Sequence, residues 1–446
     1  MNRMQPTSKP RDLIKPHAKQ KNHTLRGHGW LVRALINILN AADITAVSVV
    51  TKNGERITLG QPNNDVAMPV IKLTRNRAVV KSSLNGLMGW AESYMAGDWD
   101  CDSLITLTDW AMHNEVPLRK AFAGRSINAF VNRFWHRLND NSKRGSRKNI
   151  AYHYDLGNHF YESWLDDTMT YSSALFEDTS LSLAHAQNAK YQRILSMSEA
   201  QPGDRILEIG CGWGGFAETV SEHEQLSLYG VTLSKEQLNY AQNRMKQLNA
   251  HDRIQLAFQD YRDINQTFDR IVSIEMFEAV GEAHWNTYFQ TLYTSLKPGG
   301  TAVLQVICIE PDRFDTYRNS ADFIQRYIFP GGMLPTAQKM RELTQTHGMA
   351  LEEQLEFGLD YAETLRQWRE TFLYQWDEIK PQGYDERFRR MWEFYLAYCE
   401  SGFRYRSIDV RLFKIRKPLT TKEAVTQGEN HANVSPNAMP SDGHHG

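Results

Sequence analysis

The segment RILEIGCGWGGF, residues Arg205–Phe216, decides the fold of this chain. Its first residues are apolar and predict a buried strand that ends at Gly210, and its last residues begin a helix. Glycines at positions 210, 212 and 214 allow a tight turn and bring the backbone against a ligand. A glycine-rich turn can also be purely structural. The prediction of a ligand site therefore depends on the strand and helix on either side.

Strand and helix patterns alternate on both sides of this segment, from residue 150 to residue 416. The predicted strands are RILEIG, LSLYGVT, IQLAFQD, RIVSIE and TAVLQVICI. Helical patterns such as SKEQLNYAQNRMKQLNA and HWNTYFQTLYTSL lie between them. Such alternation predicts an α/β domain, with a parallel sheet covered by helices on both faces.

Residues 29–115 predict a small α+β domain that precedes the α/β domain. WLVRALINILNAA has the pattern of a helix, and AVSVVT, ERITLG and AVVKSS have the pattern of short strands. Residues 1–28 and 417–446 are polar and predict disordered tails.

A basic stretch covers residues 116–150. Its cationic residues, set against the single acid Asp140, are Arg119, Lys120, Arg125, Arg133, Arg137, Lys143, Arg144, Arg147 and Lys148. Apolar residues recur at helical spacing at Ile127, Phe130, Val131, Phe134, Trp135 and Leu138. The pattern predicts a basic amphipathic helix. It either packs on the core with a solvated cationic face or lies on a membrane surface.

Composition excludes several classes of protein. The formal net charge of −1 gives no overall attraction to nucleic acid. Cys101, Cys211, Cys308 and Cys399 form no CxxC pair, so we expect neither a metal site nor a disulfide framework. No apolar run approaches the ~18–20 residues of a membrane span, and the basic N-terminus lacks the apolar region of a secretory signal. We expect a cytoplasmic protein that reaches the inner face of the cell membrane only from its surface.

The second strand of the α/β domain argues against a dinucleotide. A dinucleotide fold needs an acid at the tip of that strand to hold the ribose. Here the strand ends in Tyr229–Ser234, and Glu236 comes only in the next helix. Glu208 and Asp260 suit a smaller ligand with an amine, a carboxylate and an adenine, which predicts S-adenosylmethionine.

At this point the chain resembles the cyclopropane fatty acid synthase family, from about Ala151 to Arg406. The matching segments are YHYDLGNHFYESWLDDTMTYSSALF, LEIGCGWGGF, GVTLSKEQ, QDYRD, FDRIVSIEMFEAVG, LKPGG, YIFPGGMLP and DYAETLRQW. A weaker match covers Gly89–Asp102. The resemblance implies a Rossmann-like class I methyltransferase domain over residues 151–416. It also implies transfer of a methyl or methylene unit from S-adenosylmethionine to the double bond of an unsaturated phospholipid acyl chain.

The resemblance also assigns the cofactor contacts one by one. The methionine end is assigned to Tyr171 and Ser172, and the loop beneath the cofactor to Gly210 and Gly212. The ribose contacts are assigned to Thr232, Leu233 and Gln237. The adenine contacts, within one residue, are assigned to Asp260 and Tyr261.

Loss of a proton completes the reaction, and in the family a bound bicarbonate accepts that proton. The resemblance assigns its holders to Glu278, Tyr361 and Ile307, with Ser173 and Gln305 where cyclopropane-forming enzymes have Cys and His. Two further departures are Glu275, where those enzymes commonly have Gly, and Ala279, where they have His. The pattern is similar to relatives that make methyl-branched or methylene fatty acids. The product therefore stays open between a cyclopropane and a branched or methylene chain.

Two other functions compete with this one, and a homodimer is left open. A methyltransferase for a small soluble acceptor does not account for the basic amphipathic stretch. A lipid-binding protein without catalysis does not account for the intact glycine loop together with Glu278 and Tyr361.

Overall fold

The computed structural model describes residues 30–122, 141–143, 145–146, 149–150, 156–178, 180–319 and 322–419. The basic amphipathic helix predicted at 125–138, most of the basic stretch around it, the predicted N-terminal tail and residues 420–446 of the predicted C-terminal tail lie outside these ranges. Within the described ranges, no helix is both long and apolar enough to cross a bilayer.

The N-terminal unit contains a four-stranded sheet and four helices. In chain order its elements are α1 (Trp30–Ala41), β1 (Val47–Val50), β2 (Arg56–Leu59), β3 (Val70–Leu73), α2 (Arg77–Met95), β4 (Trp99–Cys101), α3 (Leu104–His113) and α4 (Glu115–Phe122). The strand order is β2-β1-β3-β4. The strand prediction for AVVKSS is wrong, because these residues form the first turns of α2, where Ala78 and Val79 are buried. Their β-branched residues pack equally well on a helix face, and periodicity does not separate the two for so short a run.

The larger unit contains a seven-stranded sheet between two layers of helices. Its strands are β5 (Arg205–Ile209), β6 (Ser227–Thr232), β7 (Ile254–Phe258), β8 (Phe268–Ile274), β9 (Leu296–Ile309), β10 (Ala350–Glu356) and β11 (Ile408–Arg416). Its helices are α5 (Asn158–Glu162), α6 (Leu183–Ser198), α7 (Gly215–Ser221), α8 (Lys235–Gln247), α9 (Trp285–Ser295), α10 (Pro311–Arg318), α11 (Phe323–Tyr327), α12 (Ala337–Thr346), α13 (Gly358–Tyr374), α14 (Trp376–Ile379) and α15 (Glu386–Arg404).

The sheet order β10-β11-β9-β8-β5-β6-β7 confirms the α/β prediction and extends it. Strands β5 to β9 pair in parallel, whereas β11 pairs antiparallel with both β9 and β10. The chain order reverses beside β5, which has β6 on one side and β8 on the other. In such sheets a crevice opens at this point, beyond the carboxyl ends of the strands.

Helix α15 joins the two units. Its Ser401 Oγ lies 2.7 Å from Thr108 Oγ1 of α3, and its Glu393 accepts a 3.0 Å hydrogen bond from the hydroxyl of Tyr94 in α2. Its Arg390 forms a 3.0 Å ion pair with Asp100 of β4. The N-terminal unit is thereby held against the α/β unit, and any space between them is walled by α15.

Candidate active site

The turn after β5 contains three glycines, of which Gly210 and Gly212 line a cavity of about 150 Å³. Their φ angles are 91°, 50° and 85° at Gly210, Gly212 and Gly214, in the region that favours glycine. A Cβ on Gly210 would lie 3.0 Å from the Met276 side chain, and one on Gly214 would lie 3.1 Å from Ala241. A Cβ on Gly212 would meet nothing within 4 Å, because this residue faces the cavity.

The end of β6 forms a second wall of the same cavity. Ser234 caps α8 by accepting a hydrogen bond from the backbone N–H of Gln237 at 3.2 Å. The Thr232 hydroxyl donates to Oε1 of Gln237 at 3.2 Å. Thr232, Leu233 and Gln237, the residues assigned to the ribose, therefore lie together along the cavity.

A buried lysine supports the wall opposite the glycine loop. Tyr171 and Ser172, assigned to the methionine end, line the cavity. Lys190 of α6 is fully buried and donates to the Ser172 hydroxyl at 2.7 Å and to Gln187 Oε1 at 2.8 Å. Burial lowers the pKa of Lys190 to about 7. Sequence reasoning missed this residue, because only the fold shows that Lys190 is buried.

Glu208 brings an ionisable carboxyl group to the same cavity. It is buried in β5, and its Oε2 has no hydrogen-bond partner among the described residues. Burial raises the pKa of Glu208 to about 8, and the charge of Lys190 partly opposes this shift. The groups that line this cavity fit a cationic amino-acid nucleoside such as S-adenosylmethionine. They are the glycine loop, the hydroxyl and amide groups at the end of β6, and the carboxyl group of Glu208.

The side chain of Asp260 is held by a neighbour in the sequence. Its two carboxylate oxygens accept hydrogen bonds from Arg262, each at 2.8 Å, and it caps the short turn that follows β7. Its neighbours Gln259 and Tyr261 line the cavity. The assignment of Asp260 and Tyr261 to the adenine stays a prediction.

A second cavity, of about 390 Å³, meets the first one. Both are lined by Ile150, Tyr171, Glu275 and Ala279. The walls of the second cavity are largely apolar and aromatic, and they include Leu87, Met112, Ile309, Ile324, Phe329, Met333, Leu334, Leu365, Tyr395, Tyr398 and Phe403. It runs between the N-terminal unit and α15. Its lining also includes the exposed Arg119 of α4.

The carboxylate of Glu275 lies where the two cavities join. Its Oε1 accepts hydrogen bonds from the backbone N–H of Ser173 at 2.9 Å and from the Gln305 amide at 2.7 Å. Its Oε2 accepts from the Tyr361 hydroxyl at 2.6 Å. Glu275 follows β8 directly and has a positive φ of 49°. Sequence reasoning noted it as a departure from glycine.

Glu278 lies near Glu275 with a different set of contacts. Its Oε1 accepts from the backbone N–H of Ile307 at 2.5 Å, and its buried Oε2 has no partner in the described parts of the chain. Burial and the neighbouring charge of Glu275 raise the pKa of Glu278 to about 8.

The five residues assigned to the bicarbonate site lie together at this junction, but the ion itself does not fit the arrangement. The residues are Ser173, Glu278, Gln305, Ile307 and Tyr361. The carboxylate of Glu275 accepts hydrogen bonds from Ser173, Gln305 and Tyr361. The carboxyl group of Glu278 accepts one from the backbone N–H of Ile307. A bicarbonate would need donors that a protein carboxylate already uses.

Comparisons with known proteins agree with the fold and the cofactor cavity. The family model for mycolic acid cyclopropane synthetase matches residues 141–413. The tuberculostearic acid methyltransferase UfaA1 of Mycobacterium tuberculosis is 39% identical over 337 residues, which are 73% of this chain and 78% of the relative. The cyclopropane-fatty-acyl-phospholipid synthase of Escherichia coli is 37% identical over 334 residues, 74% of this chain and 82% of the relative.

Two solved structures share the architecture of the α/β unit. The cyclopropane synthase MmaA2 from Mycobacterium tuberculosis matches with a TM-score of 0.57 and 30% identity, over 61% of this chain and 98% of that one. The mycolic acid cyclopropane synthase CmaA1, complexed with SAH and CTAB, matches with the same values. The α/β unit therefore has the class I methyltransferase fold.

We predict that Gly212→Asn weakens binding of S-adenosylmethionine by about tenfold or more, because the new side chain fills the space above the loop. Asparagine tolerates the positive φ, so the turn should survive. Gly203→Asn is the control, since Gly203 also has a positive φ and open space around it but lies outside the cavity. Calorimetric titration and thermal unfolding measure the two effects. Undiminished affinity in Gly212→Asn would contradict the placement of the loop.

We also predict that cofactor affinity rises with pH up to about 8, the pKa of Glu208. Below that pH the free protein holds Glu208 protonated, and a cationic ligand favours the ionised form. Binding therefore releases a proton, and affinity gains up to about tenfold per pH unit. Glu208→Gln should remove this part of the slope, while the titration of the ligand's own amine is common to both proteins. Equal slopes in the two proteins would show that Glu208 does not face the cation.

Proposed function

The chain belongs to the mycolic acid cyclopropane synthetase family, and from this membership we propose that it acts on the double bond of an unsaturated phospholipid acyl chain. It is an S-adenosylmethionine-dependent enzyme, and its reaction adds a one-carbon unit to the acyl chain. The two relatives carry the names of a cyclopropane synthase and of a tuberculostearic acid methyltransferase. The product is accordingly a cyclopropane or a methyl-branched or methylene chain.

The observation that carries this proposal is the junction of a polar cavity with an apolar one. The volume of the apolar cavity, about 390 Å³, lies within the range of roughly 300–1,000 Å³ for small-molecule pockets. Its walls are largely apolar and aromatic, which suits an acyl chain. The cofactor cradle argues against a lipid-binding protein without catalysis.

The residues of this chain align the two reactants, exclude water and stabilise the positive charge that develops on the acyl chain. S-adenosylmethionine, when bound, supplies an electrophilic methyl group, and an alkene is a weak nucleophile. The site must therefore hold the double bond in line and exclude water. Tyr171, Phe329 and Tyr361 present aromatic rings to the apolar cavity, where a positive charge develops on the acyl chain.

The membrane surface is proposed as the place where the enzyme meets its substrate. Arg119 is exposed on α4, belongs to the basic stretch 116–150 and lines the apolar cavity. An anionic bilayer would attract that stretch and bring an acyl chain close to the cavity. The proposal places the enzyme at the inner face of the cell membrane. A homodimer stays a separate prediction, for which sedimentation analysis is the measurement.

We predict that vesicles of unsaturated phospholipid gain one CH₂ unit per modified acyl chain when incubated with the enzyme and S-adenosylmethionine. Thr316→Trp should lower this activity by about tenfold, a loss of about 1.4 kcal/mol, because Thr316 lines the apolar cavity. Thr294→Trp, on the exposed face of α9, is the control. Mass spectrometry measures the product, and hydrogenation separates a ring from a branched alkene. Activity on soluble acids but not on vesicles would contradict the proposal.

We predict that neutralising Arg133, Arg137, Arg144 and Lys148 together weakens binding to anionic vesicles and flattens its dependence on salt. Each basic residue near such a surface contributes roughly 1 kcal/mol, and salt screens this contribution. Co-sedimentation from low to high salt is the measurement, with cofactor affinity as the control. Equal binding of both proteins at every salt concentration would mean that the basic stretch is an ordinary packed element.

A further inference from the structure

We propose that the carboxylate of Glu275 itself accepts the proton in the second step, at the place that the family resemblance gives to bicarbonate. This inference rests on the proposed function. It names the base of the same site and removes the need for a separate ion.

The position of Glu275 is the first argument. It lines both cavities, so its carboxylate faces the place where an acyl double bond would meet the cofactor. Three donors from separate parts of the chain, Ser173, Gln305 and Tyr361, hold the carboxylate in one orientation. A carboxylate with fixed geometry at the reacting atoms is what general base catalysis requires.

The hydrogen bonds leave room for a proton on one oxygen. Oε1 accepts two hydrogen bonds, from Ser173 and Gln305, whereas Oε2 accepts one, from Tyr361, among the described residues. A carboxylate oxygen can accept two, so Oε2 keeps a lone pair. Burial raises the pKa of Glu275, which makes it a stronger base than an ordinary glutamate.

The backbone of Glu275 is the second argument. Its φ of 49° lies in the left-handed region, which costs energy for a glutamate. Glycine at this position, as in the cyclopropane-forming relatives, would avoid the strain. Backbone strain of this kind persists where the surrounding structure holds it, and it clusters at active sites.

Glu278 is the competing base, and its surroundings make it the weaker candidate. It has one donor, the N–H of Ile307, and its second oxygen is buried without a partner in the described structure. Burial, together with the negative charge of Glu275, raises the pKa of Glu278 to about 8, so Glu278 is mostly protonated at neutral pH. A protonated carboxyl cannot accept the proton.

The proposed reaction needs no reactant besides the alkene and S-adenosylmethionine. The two π electrons of the alkene form the bond to the methyl carbon, the sulfur keeps the pair of the broken S–C bond, and the acyl chain becomes a cation. A C–H bond then breaks, and its electron pair closes a ring or forms a new double bond. The proton goes to Oε2 of Glu275 and passes to water after the product leaves.

Three variants test the assignment. Glu275→Gln keeps the shape but removes the base, and should lower turnover by about a hundredfold or more while cofactor affinity is retained. Glu275→Gly relieves the strain and frees the donors of Ser173, Gln305 and Tyr361. Glu199→Gly is the control, since Glu199 also has a positive φ, 56°, but pairs with Lys414 and Arg416 at the surface.

Bicarbonate provides a readout that does not depend on activity. In equilibrium dialysis with labelled bicarbonate, the wild-type protein and Glu199→Gly should bind none, whereas Glu275→Gly should bind the ion. In carbonate-free buffer the wild-type protein should keep full turnover, and added bicarbonate should raise the turnover of Glu275→Gly but not that of Glu275→Gln.

Different results overturn different claims. Bicarbonate bound by the wild-type protein, or wild-type turnover that needs added bicarbonate, overturns the assignment of Glu275. Near-normal turnover of Glu275→Gln does the same. A wild-type protein that modifies no unsaturated lipid, whatever the bicarbonate result, overturns the proposed function instead.

Discussion

A buried carboxylate must be hydrogen-bonded or it costs several kcal/mol, and this constraint organises the centre of the molecule. Glu275 satisfies it with donors from the loop after α5, from β9 and from α13, which are Ser173, Gln305 and Tyr361. The three segments are far apart in sequence. Their meeting point fixes where the polar and apolar cavities join.

The same constraint applies to the carboxyl group of Glu208 in the cofactor cavity. Glu208 has an oxygen without a partner in the described structure, and burial raises its pKa to about 8. Burial also lowers the pKa of Lys190 to about 7, so both groups approach neutrality in the free protein. A cationic ligand would favour the ionised form of Glu208. The ionised form of Glu208 lacks a partner among the described residues until the ligand binds, and the ligand's positive charge then stabilises it.

Local patterns in the sequence predict the part of the fold that local patterns determine. The glycine loop at Arg205–Phe216 and the alternation of strands and helices identify the parallel sheet, because each depends on residues close in sequence. The antiparallel edge formed by β10 and β11 was not predicted, because its pairing with β9 is between distant segments. The resemblance assigns Asp260 to the adenine, which stays a prediction. The hydrogen bonds of Asp260 with Arg262 were not predicted, because they depend on the geometry of one turn.

The base at the centre of the site shows most clearly why the remainder could not be predicted. The sequence marks Glu275 as a departure from glycine, but only the fold brings Tyr361 and Gln305 to its carboxylate. Its left-handed backbone costs roughly 1–2 kcal/mol. Recruiting a separate ion costs about 4 kcal/mol or more in lost translational and rotational freedom, which its contacts must offset at every turnover. A carboxylate attached to the chain avoids that cost and is present whatever the concentration of the dissolved ion. The strained glutamate is therefore the less costly way to keep a proton acceptor beside an acyl chain in a dry cavity.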